Sequence, residues 1–244
     1  MTAIKNKLVK NLQKFFIKNN FSKAVVGLSG GIDSAVTLKL GILALGKKNI
    51  TAILMPEEGV SKEEHLKDAR DLAINEGVEY FVVPIKSFLN NFAKMPWDHS
   101  SFADMNTRAR VRMAILYHFS NSRNAIVLGT GNKSEIMLGY GTKYGDFGVD
   151  VEVIGDLYKT EVYKLAKELN LPEKFINKKP TAELFYGQTD EGEIGASYEV
   201  IDKILQRMGN KKKQTDEPEI VKKIIKMVKY NRHKSKPVPI IKKS

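Results

Sequence analysis

The sequence predicts an α/β fold: a doubly wound parallel sheet of five strands with a helical C-terminal extension. Three observations carry this. Short apolar, β-branched runs recur through the first 155 residues; helical periods fill the gaps between them; beyond residue 154 the strands stop and helices continue. Strands that alternate with helices argue for a parallel sheet covered on both faces.

Taken in order, residues 1–20 (MTAIKNKLVKNLQKFFIKNN) carry apolar side chains at helical spacing among lysines. They lack the apolar middle of a signal peptide and read as an amphipathic helix. KAVVGL at 23–28 reads as a first strand, ITAILM at 50–55 as a second, YFVVPI at 80–85 as a third, AIVLG at 125–129 as a fourth, and 151–154 as a weaker fifth. Helices are expected over 33–45, over 62–76 and over 103–120, where Phe102, Met105, Ala109, Met113 and Leu116 recur at steps of three and four. Ser61 with Glu64 reads as a capping box for the second of these. Further helices are expected over 160–169, 197–208 and 217–230. The stretch PTAELFYGQTDEGEIG at 180–195 is too long and too glycine-rich for a simple connection and reads as a functional loop.

Composition excludes several function classes. The 244 residues include no cysteine, which excludes a disulfide scaffold, a Cys-ligated metal site and a Cys nucleophile. No run approaches the roughly 18 apolar residues of a membrane span, and a cytoplasmic protein with no membrane partner is expected. The 40 Lys and Arg outnumber the 28 Asp and Glu, and the excess is concentrated: residues 203–244 hold 14 basic and 3 acidic side chains, a net of +11, against +1 for the rest. Such a segment suits a nucleic-acid surface, a local field for an anionic small substrate, or a solvated helix face.

Two motifs carry chemistry. GLSGGIDS at 27–34 follows a strand and opens a helix, where α/β proteins bind phosphate. Ser29, Gly30 and Gly31 offer backbone N–H groups without side-chain obstruction, and Ser29 and Ser34 add hydroxyls. There is no lysine, so this is not the GxxxxGK[ST] loop, and it is not GxGxxG. Asp33 is informative, because a carboxylate beside phosphates repels them unless a divalent cation lies between. LGTGNKSE at 128–135 sits at the carboxyl end of the fourth strand. In a doubly wound sheet, strands one and four flank the switch point where ligands bind. Thr130 is thus placed to bond a nucleotide and Glu135 to supply a second carboxylate to one metal.

SGGIDS resembles the pyrophosphate-binding loop of the ATP-pyrophosphatase superfamily, whose Rossmann-like fold is of the adenine nucleotide alpha-hydrolase type. The blocks that follow, GYGTKYGDFGVD at 139–150, DLYK at 156–159, KPT at 179–181 and RHKSKPVP at 232–239, together with NTRARVRM at 106–113, resemble the ammonia-dependent NAD synthetases in order and spacing. The resemblance covers about residues 21–239. It implies that residues 1–244 form one domain, with a nucleotide-binding core over 1–155 and a mostly helical part with a basic end over 156–244. It implies ATP contacts from Gly27, Leu28, Ser29, Gly30, Gly31, Ile32, Asp33 and Ser34, and from Thr130, Lys159 and Thr181. It implies deamido-NAD contacts from Arg110, Lys143, Asp150, His233 and Lys234, and a Mg2+ ion on Asp33 and Glu135.

The implied reaction is ATP-dependent amidation of deamido-NAD by ammonia through an acyl adenylate, yielding NAD, AMP and pyrophosphate, with a homodimer as the working form and no nucleic-acid partner. Lys159 would neutralise charge on the transferring phosphate, and Asp146 would bind ammonium and accept its proton. Arg108 and Arg112 share one helix face, while Arg110 points about 200° away from Arg108, so only one face reaches the site. One departure stands out. Many relatives carry an arginine at the end of the second strand, where this chain has Met55, so no adenine contact is expected there. The alternative is a lysidine-synthetase-like tRNA-modifying enzyme, which SGGxDS and the basic end also suit.

Overall fold

The computed structural model describes residues 1–178, 180–181, 189–208 and 218–243. Strands β1 (Lys23–Gly27), β2 (Ile50–Leu54), β3 (Glu79–Val82), β4 (Ala125–Gly129) and β5 (Val151–Glu152) form one sheet in the order β3-β2-β1-β4-β5. Every neighbouring pair is parallel. The order reverses between β1 and β4, so their carboxyl ends open side by side.

Helix α1 (Thr2–Asn19) precedes the sheet and buries Leu12 and Phe16. Helix α2 (Ile32–Leu45) follows β1, α3 (Glu63–Glu76) follows β2, and α4 (Lys86–Leu89) and α5 (Ser101–Arg123) lie between β3 and β4. Helix α6 (Lys133–Leu138) follows β4. After β5 come α7 (Lys159–Glu168), α8 (Glu173–Ile176), α9 (Asp190–Ile194), α10 (Tyr198–Met208) and α11 (Glu219–Asn231).

Side chains alternate across each strand. Ala24, Val26, Ala52, Leu54, Ile126 and Leu128 face one core, shared with Val36, Leu38 and Leu40 of α2 and with Val162 and Leu165 of α7. Val25, Ile53 and Val127 face the other, under Ile115, Leu116 and Phe119 of α5. The sheet is therefore buried on both sides, which is why its strands read as continuous apolar runs. Helix α2 lies close on the sheet because Gly41 leaves room: a Cβ there would meet Leu128 and Ile50 side chains at 3.1 and 3.2 Å. A third apolar cluster joins α6, α9, α10 and α11 through Leu138, Ile194, Tyr198, Ile201, Leu205 and Ile224.

Several local expectations are corrected. The capping box at Ser61 does not form. Helix α3 starts at Glu63 behind Lys62, and the Ser61 hydroxyl instead accepts the Glu57 N–H at 3.0 Å. The third strand ends at Val82, because Pro84 has no N–H to give, although Val83 and Ile85 still donate to Leu54 and Pro56 carbonyls at 2.8 and 2.9 Å. The fifth strand is two residues long. Helix α5 outruns its expected range at both ends, opened by the Ser100 hydroxyl accepting the Ala103 N–H at 3.1 Å. The start of the last expected helix, at 217, and residues 182–188 of the expected loop lie outside the described residues.

The two-sided core sets a contrast between neighbouring helices. Leu38→Ala, at a site with no exposure, is expected to cost about 2–5 kcal/mol of stability. Ile17→Ala, 80% exposed on α1, is expected to change it by less than about 0.5 kcal/mol. Denaturant unfolding of both variants checks this.

Candidate active site

Residues 27–34 wrap the carboxyl end of β1. Leu28 donates its N–H to Ile53 O at 2.9 Å, which extends the sheet pairing one residue past the strand. Gly30 then turns at φ +83°, where a Cβ would lie 2.2 Å from His65 O, so only glycine lets the loop back onto α3. The Ser34 hydroxyl closes the turn: it donates to Gly31 O at 3.0 Å and lies 3.1 Å from the Ser29 hydroxyl. Gly31 is the N-cap of α2, so the free N–H groups and positive end of that helix face the loop.

The second loop leaves β4 beside it. Asn132 caps α6 reciprocally: its Oδ1 accepts the Glu135 N–H at 3.0 Å, and Glu135 Oε2 accepts the Asn132 N–H at 3.2 Å. The same Asn132 donates Nδ2–H to Asp33 Oδ1 at 3.1 Å and so fastens the two loops together.

Lys159 stands where they meet. It is 2% exposed, at the first position of α7, and its N–H donates to the Ser134 hydroxyl at 3.0 Å. Its ammonium bonds Asp33 Oδ2 and lies 3.5 Å from Glu135 Oε1 and 5.2 Å from the centre of the Tyr198 ring. Burial works against its charge, but Asp33, Glu135 and Asp190 outweigh burial and hold its proton more firmly than in free lysine. Glu135 moves upward, first through burial and then through the neighbouring Asp33, with Lys159 opposing. Asp190 also rises through burial, and its Oδ2 accepts the Tyr198 hydroxyl at 3.2 Å. Asp202, 2% exposed, ties α10 to this centre by accepting from the Ser134 hydroxyl at 2.5 Å and from the Thr160 N–H at 2.9 Å.

Asp33, Glu135, Lys159 and Asp190 line one side of a cavity of about 500 Å3. Gly27, Leu28, Ser29, Gly31, Ile32, Asp33 and Ser34 reach it, as do Thr130, Glu135, Asp146, Lys159, Thr181 and Lys234. Gly30 does not line it and sits behind the loop against His65. Lys234 donates to Gly139 O at 2.9 Å and Gly141 O at 3.1 Å, and burial lowers its pKa while Asp146 partly offsets the shift. Asp146 accepts the Thr142 N–H at 2.7 Å.

Arg110, Lys143, Asp150 and His233 lie outside this cavity. Arg110 is exposed and reaches Lys143 O at 3.4 Å, and the Lys143 ammonium stacks 5.0 Å over Tyr144. Asp150 accepts from Tyr117 Oη at 3.0 Å and from the Val127 N–H at 2.8 Å. His233 is exposed. The inward face of α5 carries the other two arginines: Arg108 pairs with buried Glu57 at 2.6 Å, and Arg112 donates to Met55 O at 3.1 Å and lines the cavity. A guidanium group thus does reach the end of the second strand, from a different element than sequence reading looks to. The spacing NKSE already spells the Asn132 cap. Nothing local marks Tyr198 or Asp202, which arrive through tertiary folding, and Asp190 is marked only by its place in the 180–195 stretch.

The family model described as NAD synthase matches residues 4–238. The NH(3)-dependent NAD(+) synthetase of Archaeoglobus fulgidus is 44% identical over 216 residues, 88% of this chain and 87% of that protein. Among solved structures, the NH3-dependent NAD synthetase of Campylobacter jejuni, in complex with the nitrate ion, superposes with a TM-score of 0.84 at 35% identity, covering 99% of each chain. The NMN synthetase of Francisella tularensis superposes with a TM-score of 0.90 at 31% identity, covering 98% of each.

Glu152 gives the site region a pH signature. Its carboxylate accepts the Gly131 N–H at 2.9 Å behind the second loop; burial, only partly offset by that bond and reinforced by Asp146, raises its pKa to about 7. A carboxyl raised in the folded state favours folding fully below its ordinary value of 4.5 and loses that contribution as pH climbs through about 7. Glu152→Gln, which keeps an acceptor for Gly131, is therefore expected to gain stability relative to the parent by about 2 kcal/mol between pH 5 and pH 8. Paired thermal melts read this, and a difference that stays flat with pH contradicts it.

Proposed function

The chain belongs to the NAD synthase family, and from that premise we propose that it amidates deamido-NAD with ammonia at the expense of ATP, releasing NAD, AMP and pyrophosphate. The observation that carries the reading is the meeting of the 27–34 loop, Asp33, Glu135 and Lys159 in one cavity. The lysidine-type alternative is not favoured, because the family match runs through the basic segment as far as residue 238.

On this reading the N–H groups and hydroxyls of the 27–34 loop, at the positive end of α2, receive the β- and γ-phosphates. Thr130 and Thr181 bond the nucleotide from the opposite wall. The substrate carboxylate attacks the α-phosphorus; the bond to the bridging oxygen breaks and its electron pair leaves with pyrophosphate. Lys159 neutralises charge on the transferring phosphate, at the end of a side chain already fixed by burial, so little reorganisation is needed. Ammonia then attacks the acyl adenylate and AMP departs, with Asp146 accepting the ammonium proton.

The donor set fits magnesium. Asp33 and Glu135 are paired across one ammonium, and magnesium is held by one or two carboxylates plus substrate phosphates rather than by an all-protein cage. When bound, magnesium would shield the phosphates from those two carboxylates.

Arg110, Lys143 and Asp150 share an outward surface with the exposed side of α5, and we place the dinucleotide there across a homodimer interface, with His233 and Lys234 closing from the C-terminal side. The working form is taken as a cytoplasmic homodimer that needs no nucleic acid. A second reading, amidation of the mononucleotide, is favoured by the likeness to the Francisella NMN synthetase.

The assay offers ATP, magnesium and ammonium with deamido-NAD or its mononucleotide counterpart, and follows AMP and the amidated product. The dinucleotide is expected to win by kcat/KM, and glutamine in place of ammonium is expected to give no product. A preference for the mononucleotide would select the second reading; AMP formation with neither would refute both. Asp33→Asn is expected to lower turnover at least about 100-fold. It should also lower the melting temperature, because it strips a counter-charge from buried Lys159.

A further inference from the structure

Lys159 is already shared among three carboxylates, so the charge leaving with pyrophosphate calls for another cation at the phosphate loop. One is in place. Lys178, two residues past α8, sends its ammonium to Gly30 O at 3.1 Å and to Asp68 Oδ2 at 2.7 Å. Asp68, on α3, is 4% exposed and is held on its other oxygen by Lys174 at 2.7 Å. Burial raises its pKa, but the two ammonium groups outweigh burial and keep it ionised below the usual carboxylate range. Lys174 is also paired with Asp71 at 3.4 Å, and Lys178 is the cation of the group that lines the main cavity. Lys178 stands where the main cavity meets a second cavity of about 400 Å3, lined also by Lys62, Lys174 and Asn177.

We propose that Lys178 is a phosphate-contacting residue for the leaving pyrophosphate, and that Asp68 is the residue that positions it. An ammonium has three N–H donors, and among the described residues two of them go to Gly30 and Asp68. The third serves an oxygen of the β- or γ-phosphate. As the bond between the α-phosphorus and the bridging oxygen breaks, the electron pair stays on pyrophosphate, and the Lys178 charge, fixed in advance, balances it. The bond to the Gly30 carbonyl has a second effect. It occupies that carbonyl as an acceptor, while the N–H of the same peptide, on Gly31, donates to the Ser29 hydroxyl at 3.2 Å, so the turn is tied at both edges.

This rests on the reading of residues 27–34 as a pyrophosphate loop, and the experiment separates the two. Binding of pyrophosphate with magnesium is measured by calorimetry for the parent, Lys178→Met, Lys178→Arg and Asp68→Asn, beside steady-state NAD formation and melting temperature. Lys178→Met is expected to weaken pyrophosphate at least about 10-fold, the effect of losing one charged hydrogen bond, and to lower kcat more than it raises the KM for ATP. Lys178→Arg should recover part of both, and Asp68→Asn should move both the same way by less. Unchanged pyrophosphate affinity in Lys178→Met overturns the proposal, even if kcat or melting temperature falls, because a purely structural tie would show that pattern. A parent that binds pyrophosphate but makes no NAD overturns the functional reading instead.

Discussion

The buried ammonium of Lys159 is the interaction around which the rest of the site is arranged. A cation at 2% exposure is tolerated only if its lost hydration is replaced, and here the replacement comes from three separate parts of the chain. Asp33 comes from the loop after β1, Glu135 from the loop after β4, and Asp190 from the start of α9. No two of these are closer than 55 positions in sequence, so the ammonium works as a tertiary clasp. It also explains why the carboxylates can sit beside one another: Glu135 is driven upward by burial and by Asp33, and Lys159 is what opposes that.

Backbone arrangement supplies the other half. The reversal of strand order between β1 and β4 brings two loops together, and each is then stiffened from within. Ser29 and Ser34 close the first. Asn132 and Glu135 close the second. Asn132 then bridges to Asp33, so a helix cap doubles as the link between the two. The clamp of α5 onto the loop after β2, through Arg108 with Glu57 and Arg112 with Met55, closes a third wall.

The sheet was legible in sequence because both its faces are buried: short β-branched runs such as VV, ILM and IVL, bounded by polar or turn residues, suit strands covered on two sides. The first loop was legible because glycine and serine at fixed spacing reflect backbone needs, such as the φ of +83° at Gly30. Side chains brought in by packing were not. Tyr198 and Asp202 sit on a helix whose spacing announces only an apolar stripe, Asp190 falls in a stretch marked only as a loop, and Asp202 looks like a solvated helix residue until α10 packs against α7. Lys178 and Asp68 are similarly mute, since a lysine near the end of a short helix and an aspartate in the middle of a charged one are common on any surface. Ser61 failed as a cap for a related reason: a competing local turn gave its hydroxyl a nearer donor.

The ion cluster at Lys159 also has a thermal consequence. The hydration of charged groups becomes less favourable as temperature rises, so keeping ions away from water costs less in a hot protein than in a cold one. The apolar contacts under α2 and α5 do not strengthen in step. On warming, therefore, the balance within the molecule shifts toward its charged centre, and the junction of α7 with the two loops becomes relatively firmer than the helix surfaces around it. Chilling acts in the opposite sense on the charged junction, and the apolar layers on both faces of the sheet weaken with it.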